Sequence, residues 1–135
     1  MIAKLTDPAP RELKFRVYIP DQEMFSYFEL GKFELADRYL FQDKHRVQQF
    51  TGMKDKDGTH IYEGDLLSFR YLDDGMRYVG EIAYSEKFGG FMVVVDRAFE
   101  MLSDLLDYAR FFKVIGNKTE NPELLDGRGQ HTSAE

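Results

Sequence analysis

The order of apolar, aromatic and turn-forming residues predicts a mainly β fold, a β-rich α+β chain. It would form a small SH3-like or strongly bent antiparallel barrel with one short helix near residues 99–109. Three observations carry this prediction: short runs of alternating or β-branched apolar residues, glycine-marked turns between them, and one segment whose leucines recur at helical spacing.

Residues 1–12 hold Pro8 and Pro10 among small and charged residues and predict a flexible lead-in. A single domain is expected over 13–125, followed by a polar, disordered tail over 126–135. From 13 to 19 apolar and basic residues alternate, placing Phe15, Val17 and Ile19 on the core face of a half-buried strand. Pro20-Asp21 turns the chain, and the aromatic run 24–30 returns antiparallel. A weak helical stripe over 33–47 (Phe33, Leu35, Ala36, Tyr39, Leu40) lacks a clear cap. Asp57-Gly58 predicts a type I′ turn or similar, closing a hairpin between 49–54 and 59–62.

Tyr62-Glu63-Gly64-Asp65 introduces a strand over 66–72, which the Asp73-Asp74-Gly75 turn joins to a second strand over 76–84. After Gly89-Gly90, the β-branched run 91–95 reads as a central, buried strand completing a meander. Leu102, Leu105, Leu106 and Ala109 share one helix face, and 111–116 is a further strand.

Composition restricts function more than it assigns it. The chain has 135 residues and can bury roughly two-thirds of its unfolded surface around what is expected to be a single core. Twelve Phe, eight Tyr and nearly a third charged residues suit a folded domain. There is no Cys, hence no thiolate nucleophile and no cysteine-held metal, which fits a reducing cytoplasm. No run approaches a membrane span, and the N-terminus has no signal-peptide pattern. The net charge of −6 lies in the second half, so generic nucleic-acid binding is disfavoured, although a local basic patch stays compatible with it.

Asp55-Lys56-Asp57-Gly58 superficially matches a calcium loop. With Gly58 at the sixth position, however, the first position is Met53 and the twelfth Gly64, so two obligatory oxygen donors are missing. His45, His60 and His131 are scattered, and with Ile61 inward His60 faces out. Glu63 and Asp65 flank Gly64 as a carboxylate pair of the type used in acid–base chemistry; the simpler reading has Asp65 holding backbone amides of the turn. Tyr71 and Tyr78, beside the hairpin turn, are the candidate partner surface, and an exposed strand edge is another.

The chain resembles the YopX family, small proteins encoded by phages and prophages of bacteria. The resemblance rests on residues 14–18 (Lys-Phe-Arg-Val-Tyr), the run from Gln49 to Gly58, then Ile61-Tyr62-Glu63-Gly64-Asp65, and finally 114–117 with 120–125. Within it Gly52, Asp57, Gly58, Tyr62, Glu63, Gly64 and Asp65 form the signature turn and strand start. The resemblance implies a phage or prophage origin and a β-rich fold, and carries no established activity, substrate or catalytic residue.

The expectation is therefore a cytoplasmic accessory protein, not an enzyme, with no cofactor and no metal. It would act by binding a protein partner or forming a homo-oligomer. The alternative is a nucleic-acid-associated module on an SH3-like barrel, and a third reading is a carboxylate-dependent enzyme using Glu63 and Asp65.

Overall fold

Period-two alternation makes β1 (Lys14–Ile19), and the Pro20–Gln22 turn of 3-10 helix returns the chain as β2 (Met24–Glu29), paired in register from Lys14↔Glu29 to Ile19↔Met24. The computed structural model describes residues 11–30, 46–71 and 75–125. The 33–47 stripe (apart from Arg46 and Val47), the lead-in through residue 10, the 126–135 tail and the Asp73-Asp74 tip lie outside them.

β3 (Val47–Lys54) and β4 (His60–Tyr62) form the expected hairpin and complete a four-stranded sheet in the order β2-β1-β3-β4. Its turn is not type I′, because of the two turn residues only Gly58 has positive φ, at 85°. Gly58 N–H donates to the Asp55 carbonyl and Asp55 N–H to that of Thr59. This is a type I turn closed by a left-handed glycine, the usual three-residue hairpin loop.

Glu63-Gly64 then carries the chain into a second antiparallel sheet. Gly64 has φ 83°, a conformation that favours glycine, and a Cβ there would displace the Gln48 side-chain amide, whose oxygen accepts from Arg16. β5 (Asp65–Tyr71), β6 (Arg77–Ser85), β7 (Gly90–Val95) and β8 (Ala98–Met101) follow as a meander. Helix α1 (Leu102–Tyr108) buries Leu102 and Leu105 and leads into β9 (Ala109–Asn117), giving the order β8-β7-β6-β5-β9. The fold is thus mostly β, with two antiparallel sheets, one curled into a half-barrel, and one short helix.

Two expectations about burial change. The run 91–95 is second from the edge and only Val93 in it is buried; β5, second from the other edge, is the well-buried strand, from Asp65 to Phe69, and β6 is the central one. Buried apolar residues also form two clusters instead of one core. Leu67, Phe69, Ile82, Val93, Leu102 and Leu105 belong to the larger, while Val17, Ile19 and Phe28 make the smaller.

Asp55 joins the hairpin tip to the second sheet. Its buried carboxylate accepts from Asp57 and Thr59 N–H, both at 2.9 Å, through Oδ1, and from Val114 N–H on β9 at 3.0 Å through Oδ2. Lys56 N–H donates to the Phe112 carbonyl at 3.2 Å. The tip thereby covers part of the free edge of β9, which would otherwise present unpaired backbone groups. Asp55→Ala strands these donors in a buried setting, and urea unfolding should show a loss of about 3 kcal/mol. Asp55→Asn keeps an acceptor for part of the set and should lose less; equal stability of Asp55→Ala and wild type would contradict the latch.

Candidate functional site

The segments carrying the family resemblance, far apart in sequence, meet around Gly64 and Asp65. Asp65 is 3% exposed. Its Oδ1 accepts from Arg16 Nη2 at 2.8 Å and its Oδ2 from Tyr62 N–H at 2.8 Å. The guanidinium is equally buried and donates further to Gln48 Oε1 at 2.7 Å and the Glu63 carbonyl at 2.9 Å. It lies between two rings, 4.4 Å from the centroid of Phe25 and 4.9 Å from that of Tyr62. Gly64 donates to the Ile82 carbonyl and accepts from Lys118 N–H, each at 2.8 Å, which brings in the C-terminal block. There Asn117 Oδ1 accepts from Thr119 and Glu120 N–H and fixes the turn after β9.

Alternation along β1 assigned Arg16 to the solvent side of a half-buried strand. The structure buries it, because the β4–β5 crossover and Phe25 cover that face. Arginine suits the position: its planar fork serves several acceptors at once, and its flat faces stack on rings. A sequence signal existed in an Arg flanked by aromatics and an Asp directly after a turn glycine, but nothing in the sequence paired them.

Burial pushes the Asp65 carboxyl up from its ordinary range, opposed by Arg16 and the Tyr62 N–H. With a folded-state pKa above the unfolded value, this group favours folding most below the unfolded pKa and loses that contribution as pH rises through the folded one. For this carboxylate the cost of burial outweighs the attraction of Arg16. What the pair supplies is a fixed geometry, since either charge left alone would be buried unpaired.

Glu63 and Asp65 do not form a free carboxylate pair. Glu63 Oε1 accepts from Gln49 N–H at 2.9 Å, and Asp65 serves Arg16. Asp57 faces Lys113 at 3.7 Å, and Gly52 has φ 87° within β3. No group of His, Asp and Glu able to hold a metal occurs among the described residues. His60 is half-buried and stacks on Phe50 with centroids 4.4 Å apart, while Ile61 points inward as expected. His45 and His131 lie outside the described residues.

Tyr71 and Tyr78, the candidate partner surface, are half-buried rather than open. Both pack on Phe69, at 5.6 Å, and on each other at 5.5 Å. They wall a groove of about 730 Å³ whose floor is Phe69, Val93 and Leu105 and whose rim includes Asp96, Phe99 and Glu100. The Tyr71 hydroxyl donates to Glu100 Oε1 at 2.7 Å, linking β5 to β8. Sequence reading found the tyrosines but not the groove, whose lining comes from β5, β6, β7, β8 and α1 together.

Two outcomes test this geometry. Asp65→Ala leaves a buried guanidinium without its anion and should cost roughly 3–5 kcal/mol; the Arg16→Met/Asp65→Ala double variant should lose clearly less than the sum of the single losses. Strict additivity in chemical denaturation would show the two residues uncoupled. His60 is held below its ordinary pKa, first by burial and then by Lys14 and Lys54. Its contribution to stability is present above the unfolded value and is lost as pH falls through the folded one. The thermal midpoint of wild type should accordingly drop more than that of His60→Gln between pH 7.5 and 5, and parallel curves would refute the assignment.

No curated protein matched the chain. Among solved structures, the fold is similar to the crystal structure of protein EF1440 from Enterococcus faecalis, with a TM-score of 0.56 and 26% sequence identity, covering 86% of this chain and 99% of that one. The family described as YopX protein matches residues 14–126, from the strand bearing Arg16 to the end of the block that closes on Gly64. The chain belongs to the YopX family.

Proposed function

We propose that this protein is a non-enzymatic binding module, encoded by a phage or prophage and acting in the bacterial cytoplasm, that takes a protein segment along β8 and the groove beside it. The origin is what resemblance to the YopX family implies. No helix among the described residues is long and apolar enough to cross a membrane, which is compatible with the compartment.

The observation that carries the binding role is the contrast between the two edges of the second sheet. The β9 edge is engaged by the Asp55 hairpin tip, whereas β8 has a strand partner on one side only among the described residues. Beside β8 lies the groove, floored by core side chains, with Phe99 50% exposed and packed 5.3 Å from the equally exposed Phe88. An added strand gains main-chain hydrogen bonds along such an edge, and alternate side chains supply specificity in the adjoining pocket. A second copy of the chain would use the same edge. The carboxylates Glu63 and Asp65 are engaged by Gln49 N–H and Arg16, which favours binding over acid–base chemistry at that turn.

Panning a random linear peptide library should select sequences with alternating apolar or aromatic residues, binding with Kd of about 1–100 µM. Phe99→Glu should weaken the selected peptides at least about tenfold, roughly 1.4 kcal/mol, without lowering the thermal midpoint. Failure to select any peptide, together with a strict monomer by light scattering at high micromolar concentration, would overturn the proposal.

A further inference from the structure

We propose that the outer face of β6-β5-β9, around the bulge at Phe111, is a binding surface for single-stranded nucleic acid. Phosphates would lie along a row of cations, and a base would stack on Phe111. This surface is separate from the groove at β8.

The register places Arg77 opposite Arg70, and Arg70 opposite Arg110, so three arginines line up across adjacent strands. One step along, Lys113 pairs with Ser68, whose hydroxyl accepts from Arg77 Nε at 2.8 Å. The row thereby concentrates cationic groups on one face of the sheet, where an anionic ligand would meet several of them at once. The cleft on this face holds about 480 Å³ and is lined by Lys56, Arg70, Arg77 and Lys113 with one carboxylate, Asp57, which lies 3.7 Å from Lys113. That sign is opposite to the net charge of −6 for the whole chain.

Phe111 is the independent observation. Between Ser68↔Lys113 and Arg70↔Arg110 the register slips, so β9 carries an extra residue there. Phe111 takes φ 44°, a conformation that bulky side chains rarely adopt, and the residue is 62% exposed while Phe112 beside it is buried. Such strain persists where surrounding structure enforces it and clusters at functional sites. Here it turns a flat aromatic face outward in the middle of the cations, with the Arg70 guanidinium 5.7 Å from the ring centroid. A basic cleft with a projecting aromatic ring is how single strands are held without strict sequence preference. An acidic peptide would use the cations and leave the ring without a role.

Fluorescence anisotropy with labelled fifteen-nucleotide DNA and RNA single strands, the matching duplex and poly-glutamate tests this directly. Single strands should bind most tightly and weaken with salt, with a log–log slope of about −2 to −3 for three or four phosphates. Phe111→Gly, which also removes the positive-φ strain, should raise the thermal midpoint. It should reduce single-strand affinity at least about fivefold and leave the salt slope unchanged. The Arg77→Gln/Lys113→Gln variant should flatten the slope by about 1 to 1.5. Absence of salt-sensitive binding to either strand would overturn the proposal. So would duplex or poly-glutamate binding as tight as the single strand, or a Phe111→Gly variant that binds like wild type.

Discussion

Arg16 and Asp65 belong to different sheets, and their buried contact sets how those sheets meet. The guanidinium reaches from β1 to the first residue of β5, and the same cation holds the Glu63 carbonyl inside the crossover turn. Three conditions must coincide for it. Gly64 must turn with positive φ and no side chain, Phe25 and Tyr62 must cover the faces of the guanidinium, and Tyr62 N–H must take the second carboxylate oxygen. A hydrophobic pair of similar volume would remove the desolvation cost, yet would not select one arrangement of the two sheets with the same stringency.

Local features were legible in the sequence because their causes are local. Turn glycines, strand alternation and the Leu102–Leu105 stripe depend on neighbours a few residues away, and each produced the expected element. Burial and pairing depend on what another segment brings. Arg16 looked solvent-facing since period two reports only that the two faces of a strand differ, not whether the second is also covered. Residues 91–95 looked fully buried because β-branched apolarity marks both strands covered on two faces and strands packed on one face only. Asp55 looked like part of an ion loop or a plain turn; its bond to Val114 N–H spans 59 positions and leaves no local trace.

Asp55 and Asp65 divide the signature segment into two anchors with one logic. Each is a buried carboxylate that accepts backbone N–H groups of its own turn through one or more bonds and a donor from a distant strand through another. A neutral side chain of similar size would serve the local bonds but hold the distant donor less firmly, as charge-assisted bonds are the stronger ones. Asp55, Tyr62, Glu63, Gly64 and Asp65 thus each take part in holding the fold together. A functional surface is better sought where a residue's conformation is not repaid by packing.

Phe111 meets that criterion. The left-handed conformation costs roughly 1–3 kcal/mol, and a residue more than half exposed returns only part of the burial that an aromatic side chain normally contributes. The bulge is not needed for burial of Phe112 alone, since a regular strand would alternate one of the two inward without any positive φ. Nor does the ring neutralise the arginine row; it adds a polarisable face beside Arg70 while leaving the cationic charge in place. Glu23 and Asp96, the other described non-glycine residues of positive φ, sit in turns, whereas Phe111 takes this conformation within a strand and beside a row of cations. Strain at such a place is the pattern expected when a surface is shaped for a ligand.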